Sequence, residues 1–279
     1  MENKNIKRVL TIAGSASGGS AGIQADLKTF QEIGVYGMSV ITAIVGRHPV
    51  TNKNVHPVSV EAIEAQCATA IAHTGIDSLK TGMLFSSSII HTVSDFLEER
   101  QGIHIVVDPV MVGKLDSILL QEEAIQALIE HIIPKASILT PNMKEASILL
   151  DNRPILTVED CRQAAIDLHH EKKKFILVKG GRLEGPAIDI LYDGEHLYYI
   201  EAPRIPTLNT SGAGCTYSAA ITSYLALGDS VFEAVKKAKR FVTHAIHHSI
   251  SFNENPGPVN QFANRSDESI KLKIFKEEV

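Results

Sequence analysis

Apolar positions in this chain form short runs that alternate with helical stripes. Val9 to Ala13 (VLTIA) is apolar on both faces, the pattern of a strand in a parallel sheet covered on both sides. A glycine- and serine-rich loop follows, Gly14 to Gly22 (GSASGGSAG). Ile23, Leu27, Phe30 and Ile33 then recur at helical spacing, and Gly34 stands where a helix C-cap glycine would. The alternation continues with strands over Met38 to Val45, Ile103 to Val107, Ser137 to Thr140 and Phe175 to Val178. Helices are expected over Val60 to His73, Gln121 to Ile133 and Val158 to His170. Asp193-Gly194 between two β-rich runs predicts a hairpin over Ile188 to Ile200. Two more helices are predicted, around Thr216 to Leu227 and Val231 to His248.

Strands that alternate with helices imply an α/β fold with a mostly parallel sheet and right-handed crossovers. No long linker and no fixed-period repeat interrupts residues 1–279, so one domain is expected. The polar tail after Gly257-Pro258, from about residue 262, is expected to be partly disordered. In such folds ligands sit at the carboxyl ends of the strands. Here those ends read Ala13-Gly14-Ser15, Asp108-Pro109, Thr140-Pro141-Asn142 and Lys179-Gly180-Gly181. Polar, charged and glycine residues thus collect at one end of every predicted parallel strand.

Composition narrows the classes. The 279 residues are 44% hydrophobic and 21% charged, as in ordinary globular proteins, and the formal charge of −5 gives no electrostatic footprint for nucleic acid. The run Lys172-Lys173-Lys174 reads as a solvated face. Three sparse cysteines do not make a disulfide framework. The opening segment lacks a signal-peptide pattern, and no stretch approaches the roughly 18 apolar residues that span a bilayer. The expectation is a cytoplasmic protein with no membrane partner.

Three segments carry candidate chemistry. The first is Asn209 to Ser218 (NTSGAGCTYS), where Gly212-Ala213-Gly214 precedes a helix built of small residues. Backbone N–H groups and the helix dipole favour an anion there, and a phosphoryl group in transfer needs such preorganised donors. Cys215 lies in the first turn, a position expected to lower its thiol pKa so that it could take a proton from a hydroxyl. A small buried cysteine capping a tight turn is the plainer alternative. Cys67 and Cys161 share helix faces with apolar residues and read as core. The second segment is acidic: Asp108 ends a strand, and Asn142 and Glu145 have an N-x-x-E spacing at a helix start. Oxygen ligands of this kind suit Mg²⁺, while the same spacing serves as a helix cap. The third is the Gly14 to Gly22 loop, which matches neither common nucleotide fingerprint and is either a flexible turn or a backbone wall for a flat small molecule. His244, His247 and His248 read as helix-end cations.

LTIAGS with its glycine-rich loop, AGIQADLKTFQEIGVYGMSVITAIV, LKTGML, DPVMV, LTPNMKEA, VKGG and SGAGCT run in order from Leu10 to Pro258. Together they closely resemble the bacterial pyridoxal kinase and hydroxymethylpyrimidine (phosphate) kinase family, and within it the cysteine-type pyridoxal kinases. The resemblance implies a ribokinase-like three-layer α/β/α sandwich, ATP with Mg²⁺, a heteroaromatic ring bearing a hydroxymethyl arm, and a homodimer. It implies Cys215 as base and Gly212, Ala213 and Gly214 as the anion hole. It places Asp108 and Glu145 at the metal, and Asn142, Glu145, Lys179 and Lys239 toward ATP. It builds the ring site from Gly14, Ser15, Ala21, Arg47, Met83 and Val110. Pyrimidine kinases of the family typically carry glutamine at the position of Arg47, which favours the pyridoxal branch, with phosphorylation of hydroxymethylpyrimidine or its phosphate as the alternative. Ala16, Arg47, Gly113 and Ser211 depart from the family pattern, so a catalytically weak ligand-binding relative is a third reading.

Overall fold

A computed structural model of the chain describes residues 6–46, 49–51, 54–72, 74–100, 102–113, 120–170, 174–252, 256–265 and 270–278. Among the described residues, ten strands form one sheet: β1 (Arg8–Ala16), β2 (Tyr36–Val45), β3 (Val55–Pro57), β4 (Ser78–Thr81), β5 (His104–Val107), β6 (Ile138–Leu139), β7 (Phe175–Lys179), β8 (Ala187–Tyr192), β9 (His196–Ala202) and β10 (Lys273–Glu278). Their order across the sheet is β10-β9-β8-β7-β6-β5-β4-β1-β2-β3. From β7 through to β2 neighbours run parallel, and β3, β8, β9 and β10 add antiparallel flanks. The helices are α1 (Gly22–Ile33), α2 (Val60–Ala72), α3 (Ser87–Glu98), α4 (Glu122–Ala127), α5 (Met143–Leu149), α6 (Val158–His170), α7 (Ala213–Ala226) and α8 (Val231–His247).

The two-residue period of the strands divides the interior into two cores. Ile105, Val107, Leu139, Ile176 and Val178 pack toward Ile63 of α2, Ile90 and Val93 of α3, and Cys161 and Ala165 of α6. Their strand neighbours Val106, Ile138 and Leu177 turn the other way, onto Ile221 and Leu225 of α7 and Val235 and Phe241 of α8. Helices on both faces of a mostly parallel sheet give the expected three-layer α/β/α sandwich. This is why the central strands read as unbroken apolar runs rather than alternating ones.

One expectation changes. The helix predicted through Ile133 stops at Ala127 and widens into a π-turn, Leu128–Ile132, then a 3-10 turn, Ile133–Lys135. Pro134 supplies no N–H to continue it. The tail expected to be partly disordered contains, among the described residues, a 3-10 turn, Gln261–Arg265, and β10, a strand the pattern did not predict, which pairs antiparallel with β9. Its order comes from the main-chain ladder, the Tyr199 hydroxyl donating to Glu277 at 2.8 Å, and Arg265 paired with Glu32 at 2.6 Å. No apolar stripe was needed, so hydropathy did not reveal it. Cys67 and Cys161 are core residues, as the pattern predicts.

Candidate active site

Because β1, β4, β5, β6 and β7 are parallel, their carboxyl ends open on one edge of the sheet. The loop after β1 is not a flexible turn. Gln24 of α1 accepts from the Ala16 N–H at 2.9 Å and donates to the Ser15 Oγ at 2.8 Å, and Ser15 bridges Gly22. Gly22 has φ +59°, and a Cβ there would stand 2.1 Å from the Gly14 carbonyl oxygen, so the closure requires glycine. Met83, just past β4, covers Gly14, with its Cε 2.6 Å from where a Gly14 Cβ would lie.

The amino end of α7 lands on this loop. Gly212 caps the helix at φ +81°, and a Cβ on it would lie 1.8 Å from the Ser20 carbonyl oxygen and 3.6 Å from the Ala21 Cα. Ser211 and Ser20 share a hydroxyl contact of 3.1 Å. The Gly22 N–H donates to the Cys215 Sγ at 3.4 Å. Gly14, Ser15, Ala21, Met83 and the Gly212–Cys215 turn therefore form one wall of the strand-end site.

The other wall is charged. Asp108, buried at the end of β5, accepts from Lys179 Nζ at 2.9 Å through Oδ1 and from the Ser218 hydroxyl at 2.9 Å through Oδ2. Lys179 Nζ also lies 3.5 Å from the Cβ position of Gly214, which ties β7 to the first turn of α7. Val110 is half-buried, its N–H bonded to the Asp108 carbonyl at 2.8 Å. Asn142 and Glu145 make the helix cap: Asn142 Oδ1 accepts from the Lys144 and Glu145 N–H groups, and Glu145 Oε2 accepts from the Asn142 N–H at 2.9 Å. The cap does not exhaust Glu145. Its carboxyl is buried, and burial with Asp108 beside it pushes the pKa up to about 7 against the pull of Lys179.

Beneath Cys215 lies a pair that the sequence reading did not single out. Lys80 of β4 and Asp26 of α1 are both fully buried and meet at 2.8 Å, and Thr11 donates to the second Asp26 oxygen at 2.7 Å. The available signals were a lysine in the short segment SLKT, just before Gly82, and an aspartate on the core face of α1.

The expectation of a lowered Cys215 pKa is reversed. Burial pushes the thiol up to about 11, and Asp26 and Asp108 add to the rise. Lys80 and the Gly22 N–H pull the other way and lose. A helix N-terminus favours a thiolate by a modest amount, whereas desolvation of the charged sulfur costs more.

Arg47 lies outside the described residues. Lys239 of α8 is buried and pairs with Asp189 of β8 at 2.6 Å, behind the Lys179-Gly180-Gly181 turn.

A glycine turn at the amino end of α7, a buried lysine and two buried carboxylates gather on the carboxyl edge of a three-layer sheet, the frame of a ribokinase-like phosphotransferase. A family model described as phosphomethylpyrimidine kinase matches residues 16–260, and the chain belongs to that family. It is 44% identical over 265 residues to the pyridoxine kinase of Bacillus subtilis (strain 168), spanning 94% of this chain and 98% of that protein. It is 41% identical over 267 residues to the hydroxymethylpyrimidine/phosphomethylpyrimidine kinase of Haemophilus influenzae, spanning 93% and 98%. The pyridoxal kinase from Staphylococcus aureus in complex with AMP-PCP and pyridoxal has a similar structure, with a TM-score of 0.90 at 37% identity over 98% of this chain and 99% of that one. Among the described residues no helix is long and apolar enough to cross a membrane.

Proposed function

We propose that this chain uses ATP to phosphorylate the hydroxymethyl arm of a pyridoxal-type ring. The observation that carries the reading is the meeting of the Gly212–Cys215 turn with Lys179 and Asp108 at one strand-end edge. The Staphylococcus aureus relative, which holds pyridoxal and a nucleotide analogue, and the identity to a Bacillus subtilis pyridoxine kinase support the pyridoxal branch. The Haemophilus influenzae relative keeps a hydroxymethylpyrimidine as the second reading.

Each part has a physical task. The N–H groups of Gly212 and Gly214 face developing negative charge on the transferred phosphoryl group, while the Ala213 N–H bonds to the Thr210 carbonyl at 3.2 Å and holds the turn. Lys179 holds a cation beside that turn. The ring lies against Gly14, Ser15, Ala21, Met83 and Val110, with Arg47 proposed at its edge. Cys215 Sγ, in its thiolate form, receives the hydroxymethyl proton. A thiol held near 11 makes a strong base once ionised, and Lys80 and the Gly22 N–H limit the cost of ionising it.

The carboxylates fit a divalent cation. Asp108 and Glu145 both lie beside Lys179, and burial with Asp108 nearby raises Glu145 despite that ammonium. Oxygen donors in that number leave room for phosphate oxygens and water, the coordination that Mg²⁺ favours. When bound, the cation supplies charge neutralisation between the phosphates. Asn142 fixes the Glu145 side chain through the cap.

The test is ATP consumption by the purified chain with Mg²⁺, run on pyridoxal, pyridoxine and hydroxymethylpyrimidine in parallel. Turnover on the pyridoxal-type rings is expected. Turnover confined to the pyrimidine would move the chain to the second reading, and none on any ring would refute the assignment.

A further inference from the structure

Lys239 stands apart from the strand-end cluster, yet its position is tightly specified. Its Nζ meets Asp189 Oδ2 at 2.6 Å, and the other carboxylate oxygen, Oδ1, accepts the Gly180 N–H at 3.0 Å. Both side chains are buried. The Asp189 carboxylate therefore divides its two oxygens between an ammonium of α8 and the backbone of the turn that follows Lys179. Lys239 also faces the Tyr217 ring of α7, 6.0 Å from its centroid.

The rest of that turn is held with equal care. The Lys179 N–H bonds to the Pro141 carbonyl at 2.9 Å, and Lys179 bridges Asn142. A Cβ on Gly180 would stand 2.2 Å from the Ile188 carbonyl oxygen, so the turn lies flat against β8. Arg204 donates to the carbonyls of Gly181 at 2.9 Å and Leu183 at 2.5 Å, and also to those of Gly185 and Pro186. Its guanidinium gathers the carbonyl side of the turn, while Asp189 takes the N–H side.

We propose that Lys239 is a positioning residue that acts through Asp189: the buried pair fixes the Gly180 N–H and so aims the Lys179 ammonium at Asp108 and the first turn of α7. The physical case rests on burial. A carboxylate removed from water is tolerated only with a partner charge and filled hydrogen bonds. Asp189 has both, and moving Lys239 onto a phosphate would leave it with one. The inference rests on the kinase reading above, since it assigns the strut to the nucleotide side of that site.

The decisive experiment compares Lys239→Met, Asp189→Asn and the double variant, reading ATP KM, kcat and thermal midpoint. Lys239→Met leaves the carboxylate unpaired, and Asp189→Asn turns an amide N–H toward the Lys239 ammonium. Each single change is expected to raise ATP KM by about tenfold or more and to lower the thermal midpoint. The double variant removes both charges and keeps an oxygen for the Gly180 N–H. Its ATP KM should return to within about threefold of the parent. A folded double variant that keeps the full KM defect of Lys239→Met would overturn the proposal, because the ammonium would then be acting on the nucleotide itself. Should the variants not fold, amide exchange on the parent protein decides: the strut requires slow exchange at Gly180 before any nucleotide is added, and protection that appears only with ATP would overturn it. A parent protein without kinase activity would sink the proposed function alone, since Gly180 protection reads the strut independently.

Discussion

Replacing Glu145 with glutamine should make the protein more stable and less active. Its carboxyl titrates at about 7 in the folded chain against an ordinary 4.5. A folded pKa above the unfolded one means that the native state binds the extra proton between those values. Stability therefore falls as pH rises from about 4.5 to 7 and stays lowered above it. At about 1.4 kcal/mol per unit the full loss is about 3 kcal/mol. Lys179 serves Asp108 as well, so a working figure is about 2 kcal/mol. Glutamine keeps an oxygen for the Asn142 N–H and has no charge to desolvate. Thermal midpoints between pH 5 and 8 should fall in the parent and not in the variant, with Glu145→Gln ahead by roughly 5 °C at pH 8. Kinase turnover should drop by more than about tenfold. A variant that is less stable than the parent at pH 8, or a difference independent of pH, would refute the electrostatic reasoning.

Three further outcomes follow from the same geometry. Gly212→Ala must place a Cβ 1.8 Å from the Ser20 oxygen at φ +81°, so urea unfolding should show a loss of at least about 2 kcal/mol together with loss of turnover. Lys80→Met leaves Asp26 buried and unpaired, and the same assay should show a loss of about 3 to 5 kcal/mol. Alkylation of Cys215 by iodoacetamide, followed by mass spectrometry, should accelerate steadily from pH 7 to 9.5 because the thiol sits near 11, and a plateau from pH 8 would contradict that placement.

The parts of this site that were legible in the sequence are those that local order determines. Strand ends at Gly14, Asp108, Asn142 and Lys179 could be read because apolar runs stop there, and parallel topology then places all four on one edge. What escaped was long-range. Lys80 and Asp26 are 54 residues apart, and they meet only because β4 is inserted beside β1 in the sheet. Asp189 and Lys239 are 50 apart and join β8 to α8, so neither motif contains the other's partner. The sign of the Cys215 shift was misjudged for a related reason: spacing reveals the helix dipole but not how deeply the sulfur is desolvated. β10 was missed because its stability lies in backbone pairing along the exposed edge of β9, which leaves no hydropathy trace.

The central claim is that phosphoryl transfer occurs at the amino end of α7 with Cys215 receiving the proton. Turnover of Cys215→Ala with ATP, Mg²⁺ and the best ring substrate tests it most directly. The account predicts a fall in kcat of about a hundredfold or more, with ATP KM within a few-fold of the parent. A variant that retains the parent kcat would contradict it.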